Sequence, residues 1–253
     1  MLMPRVMPCL LLKNGALVKT IKFKAPGYIG DPINAIRIYN EKEVDELIFL
    51  DITATIEKRE PPYKVLSEIA SECFMPVTYG GGVRDIETIR RILSLGIEKV
   101  AINSHAVENP DFVHAAADKF GSSTIVVSID ARRKMFSRYE VFIHGGRKGT
   151  DLDPVEFAVK MEQMGAGEIL LTAIDRDGTQ EGYDVDLIRR VTSAVGVPVI
   201  ACGGAGKIDD FRVAVKEGGA SACAAGSMVV YFGRNRAVLI TFPEREKLEA
   251  VLS

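Results

Sequence analysis

The feature that most constrains this chain is a segment that occurs twice. Thr78–Ser104 reads TYGGGVRDIETIRRILSLGIEKVAINS, and Ile200–Ser227 reads IACGGAGKIDDFRVAVKEGGASACAAGS. Gly81-Gly82 of the first copy match Gly203-Gly204 of the second, 122 positions on (82 to 204). In each copy an apolar run ends in glycines, a helical pattern follows, and a short apolar run closes the unit, Lys99–Ile102 in one and Ala222–Ala225 in the other. Asp85 is a natural N-cap ahead of the stripe Ile86, Ile89, Ile92 and Leu93, whereas the second copy has Gly206-Lys207 where the first has Arg84-Asp85. The same offset relates Asp45-Glu46-Leu47-Ile48 to Gly167-Glu168-Ile169-Leu170. A period of half the chain predicts two similar halves, approximately residues 1–122 and 123–253, inside a single domain.

Further strand and helix patterns flank these copies. The strands read as Arg5–Leu11, Glu46–Asp51, the run into the first glycine turn, Lys99–Ile102, Thr124–Asp130, Glu168–Ala173, Pro198–Cys202 and Ser221–Ala225. Helices are expected from Asp31-Pro32, over Tyr63–Glu72, after Asp85, from Asn109-Pro110, from Asp153-Pro154 through Met164, over Val185–Val195, after Lys207 and from Glu244. The Lys-, Gly- and Pro-rich stretch from Lys13 to Gly27 reads as a loop, and Tyr139–Ile143 as part of a small hairpin. Nearly all-apolar strands alternating with amphipathic helices call for a parallel sheet covered on both faces. Eight such units in 253 residues, 47% of them apolar, favour a closed (β/α)₈ TIM barrel over an open doubly wound sheet.

A net charge of −2 gives no reason to expect nucleic acid or a membrane as partner. Cys9, Cys73, Cys202 and Cys223 are scattered, as are His105, His114 and His144. Neither set has metal-ligand spacing, so no metal or cofactor is expected, and the thiols read as reduced in a cytoplasmic protein. The opening MLMPRVMPCLLL is broken by prolines and an arginine and reads as a first strand rather than a leader.

In such a barrel the chemistry belongs at the carboxyl ends of the strands. Bare backbone amides at Gly82, Asn103 and Ser104 suit one phosphate, and those at Gly204, Gly226 and Ser227 a second, half a barrel away. The inferred ligand is an elongated small molecule phosphorylated at both ends. The glycines would equally serve tight turns with no ligand. Asp130 ends the fifth strand and can move a proton; the half-chain alignment puts Leu11 opposite it, and Asp177 is another carboxylate within reach. At the amino ends of the strands sit Arg5, Glu46, Lys99 and Glu168, whose alternating signs fit a neutralising cluster on the barrel floor.

These residues carry a resemblance. Through PCLLLKNG, VDELIFLDITA, YGGGVR, KVAIN, SIDARR, AIDRDGT and ACGGAG the chain resembles, over nearly its whole length, the cyclase-subunit (HisF) family of imidazole-glycerol-phosphate synthase. The resemblance implies a half-barrel-duplicated fold and a bisphosphorylated ribulosyl-aminoimidazole-carboxamide substrate. It implies a HisH-like glutaminase docked on the barrel floor, with ammonia passing the gate Arg5, Glu46, Lys99 and Glu168. Lys19 matches a substrate-contacting loop lysine, and Asp130 one of two catalytic aspartates. The second of these falls on Leu11. That departure, with Tyr79 and the ending GRNRAVLITFP, is similar to HisF-like paralogues encoded with lipopolysaccharide and other surface-polysaccharide genes. Those act with a glutaminase and an amidotransferase that builds an acetamidino group on a sugar.

Overall fold

The structure, a computed structural model, describes residues 3–135, 138–233 and 235–253. Eight parallel strands close on themselves: β1 (Arg5–Lys13), β2 (Leu47–Asp51), β3 (Val77–Gly80), β4 (Lys99–Ile102), β5 (Ile125–Arg133), β6 (Glu168–Ala173), β7 (Val199–Cys202) and β8 (Ala222–Ala225). Each pairs with the next, and β8 pairs back onto β1, so the expected (β/α)₈ barrel is complete. Outside it lie α1 (Pro32–Glu41), α2 (Tyr63–Glu72), α3 (Ile86–Ser94), α4 (Pro110–Phe120), α5 (Pro154–Gln163), α6 (Val185–Thr192), α7 (Ile208–Lys216) and α8 (Arg245–Leu252). Among the described residues no helix is long and apolar enough to cross a membrane.

The helix starts follow from the sequence. Asp31, Asp85 and Asp153 each accept hydrogen bonds from the first free backbone N–H groups of α1, α3 and α5. Lys207 stands where Asp85 stands in the first copy and cannot accept such a bond. In α7 the carboxylate comes instead from inside the helix: Asp210 accepts from the N–H groups of Gly206 and Lys207, at 2.8 and 3.0 Å. The backbone is unchanged by the swap, with φ/ψ of −150°/162° at Asp85 and −148°/162° at Lys207. The glycine turns are set by close backbone approach. A Cβ on Gly81 would lie 2.6 Å from the Asp51 carbonyl oxygen, and one on Gly204 2.2 Å from that of Gly182. The demand for glycine comes from the last residue of β2 at Gly81 and from the loop after β6 at Gly204.

Strand alternation sorts side chains into two layers. One faces the helices and forms the larger core, including Leu12, Tyr39, Phe49, Leu66, Ile89 and Phe211. The other fills the barrel with Met7, Ile48, Ala101, Val126, Leu170, Ile200 and Ala222. Below that apolar layer the charged floor is closed, and above it the barrel opens.

One expectation needs correction. The stretch read as a loop after β1 is an antiparallel hairpin, Ala16–Ile21 against Lys24–Gly30, extending the barrel rim from β1. Its tight turn places Lys22 and Phe23 both in the left-handed region, φ 53° and 63°, which hairpins usually reserve for Asn-Gly. The alternation in ALVKTI was therefore masked by an atypical turn. A second hairpin follows β8, Tyr231–Phe232 against Ala237–Val238. Tyr139–Ile143 does form a hairpin, pairing with the extension of β5.

Candidate active site

The carboxyl ends of the strands enclose a cavity of about 610 Å³. Lys19, Gly82, Asn103, Ser104, Asp130, Asp177, Gly204, Gly226 and Ser227 all line it, together with Leu11. The sequence-derived site residues are thus gathered at one end of the barrel. Arg5, Glu46, Lys99 and Glu168 lie at the other.

At the floor these four side chains close a ring. Arg5 bridges Glu46 and Glu168, at 2.6 Å to each, and Lys99 bridges the same two carboxylates at 3.1 and 3.2 Å. Glu46 is almost wholly buried and also accepts from the Thr78 hydroxyl at 2.8 Å. Burial opposes the charge on Arg5, but Glu168 and then Glu46 more than offset it and hold its pKa above the ordinary value.

At the mouth the central fact is an asymmetry. β1 and β5 are four strands apart whichever way the ring is followed, so their ends face each other across the barrel. β5 presents Asp130 to the cavity and β1 presents Leu11. Burial first, then the neighbouring charge of Asp177, pushes the Asp130 carboxyl up to about 7, against a lowering contribution from Thr172. Asp130 is therefore poised to take or give a proton near neutral pH. Asp177 is placed differently. One of its oxygens accepts from Lys19 Nζ at 2.7 Å and the other from the Thr20 hydroxyl at 2.8 Å, in a buried ion pair. It engages the hairpin after β1 and lends its charge to Asp130.

The two glycine turns lead to matching corners. Asn103 and Gly226 have φ/ψ of −111°/−87° and −109°/−82°, and each is followed by a buried serine opening a single helical turn. In the first corner the Gly82 N–H donates to the Thr55 hydroxyl at 3.2 Å, and Ser104 Oγ accepts from the His144 N–H at 3.0 Å. In the second, the missing side chain of Gly226 makes room for Lys19: a Cβ there would lie 2.8 Å from Lys19 Cε. The sequence reading missed Thr55, His144 and Thr172, which lie in loops or on the barrel wall without a recognisable pattern. Among the described residues no cluster of side chains could hold a metal ion.

Fold and site together define a (β/α)₈ barrel with a small-molecule cavity at the carboxyl ends of its strands and a ring of ion pairs at the other end. Within that class the chain belongs to the histidine biosynthesis protein family, whose model matches residues 5–235. It is 51% identical over 245 residues to the Pseudomonas aeruginosa protein named "Putative imidazole glycerol phosphate synthase subunit hisF2", covering 97% of this chain and 98% of that one. It is 46% identical over 252 residues to a Leptospira interrogans protein named "Putative imidazole glycerol phosphate synthase subunit HisF", covering 99% of each. The family resemblance read from the motifs therefore holds.

Proposed function

We propose that this chain is a HisF-type synthase subunit that receives ammonia from a HisH-like glutaminase and acts outside histidine synthesis, serving amidination of a surface-polysaccharide sugar. The observation that carries the reading is Leu11 facing Asp130 across the cavity. A cyclase that must protonate one atom and deprotonate another needs a group on each side of its substrate, and a leucine can do neither.

The rest of the barrel retains what ammonia transfer needs. The glutaminase would dock on the floor, where the Arg5, Glu46, Lys99, Glu168 ring lies beneath the apolar interior of the barrel. Ammonia is neutral and crosses an apolar core far more readily than ammonium. Shifting one ion pair of the ring would admit it. At the mouth, the corners at Gly82, Asn103 and Ser104 and at Gly204, Gly226 and Ser227 would supply amides and hydroxyls to the two anionic ends of a bisphosphate-like ligand, the Gly82 N–H exchanging its Thr55 acceptor for the ligand. Lys19, paired with Asp177, sits beside the second corner. Asp130 is the proton-transferring residue, and Asp177 tunes it. The ligand supplies the remaining acid or base, or the ammonia passes to an associated sugar amidotransferase.

Growth of a histidine auxotroph lacking its cyclase tests this. The chain, expressed with a HisH-like glutaminase, should copurify with it and fail to support growth. Growth at the rate given by a true cyclase would make the chain an ordinary imidazole-glycerol-phosphate synthase subunit. Copurification in which Asp130→Asn leaves sugar amidination fully active would reduce it to an ammonia-conducting scaffold.

A further inference from the structure

The two corners of the cavity are alike in backbone but not in what stands behind their serines. Ser104 Oγ accepts from the backbone N–H of His144 at 3.0 Å and lies 3.2 Å from Asn103 Oδ1, to which its own proton is directed. Ser227 Oγ instead accepts from Arg236 Nη2 at 3.2 Å. The same nitrogen donates to the Gly178 carbonyl at 3.0 Å, and the guanidinium lies over the Tyr231 ring, 4.7 Å from its centroid. With a lone pair of Ser227 already taken by a donor, its O–H is free to turn into the cavity.

The charge balance of this corner points the same way. Lys19, the other nearby cation, is neutralised by Asp177. Arg236 has no carboxylate within ion-pairing distance among the described residues. It comes from the hairpin after β8, between Phe232 and Val238, and its backbone is left-handed, φ 51°. A guanidinium held by a carbonyl, a hydroxyl and an aromatic face, with its charge uncompensated, strengthens any anion bound in front of that hydroxyl.

We propose that Arg236 is a positioning residue that orients and charges the Ser227 corner for an anionic group, whereas the Ser104 hydroxyl is held by the His144 backbone N–H and Asn103. The proposal rests on the reading that both corners receive anionic groups.

The test is a titration of the full chain with inorganic phosphate at pH 8, followed through the backbone amide resonances of each corner. In the unaltered chain both sets shift, each reporting the phosphate affinity of its own corner. Arg236→Gln weakens the Ser227 corner by about tenfold, the size of a lost charge-assisted hydrogen bond, and leaves the Ser104 corner within twofold. Arg236→Lys restores most of the affinity and its steep salt dependence, which a loss of packing would not do. It also decides the matter should the glutamine variant fold poorly. Equal phosphate affinity at the Ser227 corner in the unaltered chain and Arg236→Gln overturns the role of Arg236 alone. If phosphate moves neither set in the unaltered chain, the anion reading falls and the proposal with it.

Discussion

The end of β1 and the end of β5 occupy equivalent places on opposite sides of one cavity, and they differ in a single decisive way. β5 presents to that cavity a carboxyl whose pKa is pushed up to about 7; β1 presents a leucine. The surroundings of the two have not diverged to the same extent. Both corners keep a buried serine after a residue of matching backbone geometry, and both glycine turns keep their close backbone contacts. A barrel decaying as a whole would lose buried polar residues generally, because each costs free energy unless it is satisfied. On the proposed reading, Leu11 stands in one acid/base position while the cavity and the floor ring are complete, the pattern expected of a changed reaction rather than a lost one.

The largest effect expected from breaking the comparison is a gain. Leu11→Asp restores a carboxyl opposite Asp130 and should raise conversion of the bisphosphorylated ribulosyl-aminoimidazole-carboxamide by roughly 10²–10⁴, the usual worth of a positioned acid or base. A variant that folds and stays inactive would place the block elsewhere in the site.

Removing the surviving partner comes next. Asp130→Asn should lower the amidating activity of the assembled complex by about 10²-fold and abolish a kinetic inflection near pH 7. The same carboxyl has a signature in stability. Its folded pKa is raised, so the folded chain holds this proton more tightly than the unfolded chain. The contribution is full at pH 4 and is lost as pH rises through about 7. The asparagine variant should therefore match the parent near pH 4 in denaturant unfolding. At pH 8 it should exceed it by on the order of 2 kcal/mol, allowing for screening by cavity water.

The floor supplies the third test. Lys99→Ala leaves Glu46 and Glu168 with Arg5 alone. A loss of about 2 kcal/mol in unfolding free energy is expected, together with glutamine hydrolysis no longer matched by ammonia use at the mouth. An unchanged ratio of the two activities would remove the ring from the ammonia path. The smallest effect concerns Tyr79, whose hydroxyl is buried without a hydrogen-bond partner among the described residues. Tyr79→Phe should be neutral or stabilising by up to about 1 kcal/mol in thermal unfolding, since the lost hydroxyl bonds nothing.

The barrel was legible because an apolar strand followed by an amphipathic helix is a local pattern that recurs eight times, and the doubled glycine segment marks where two of the strands end. The floor ring was legible for the same reason: Arg5, Lys99 and Glu168 open their strands and Glu46 directly precedes β2, so their height in the barrel follows from register. What lay beyond the sequence depends on parts that reach the site from outside the repeat. The hairpin carrying Lys19 turns through Lys22 and Phe23, an unusual pair for two left-handed positions. Arg236 lies nine residues from Ser227, and only the folding of the second hairpin brings its guanidinium back onto that hydroxyl. Asp177 could be placed near Asp130 by the end of β6, but its engagement with Lys19 and Thr20 required knowing that the first hairpin is there.

The most direct test of the account is a single-turnover reaction of the unaltered, purified chain with the bisphosphorylated ribulosyl-aminoimidazole-carboxamide and excess ammonium, which bypasses the glutaminase. The account predicts bound substrate recovered unchanged, with imidazole glycerol phosphate appearing only in Leu11→Asp. Rapid product formation by the unaltered chain, no faster in the aspartate variant, would contradict it.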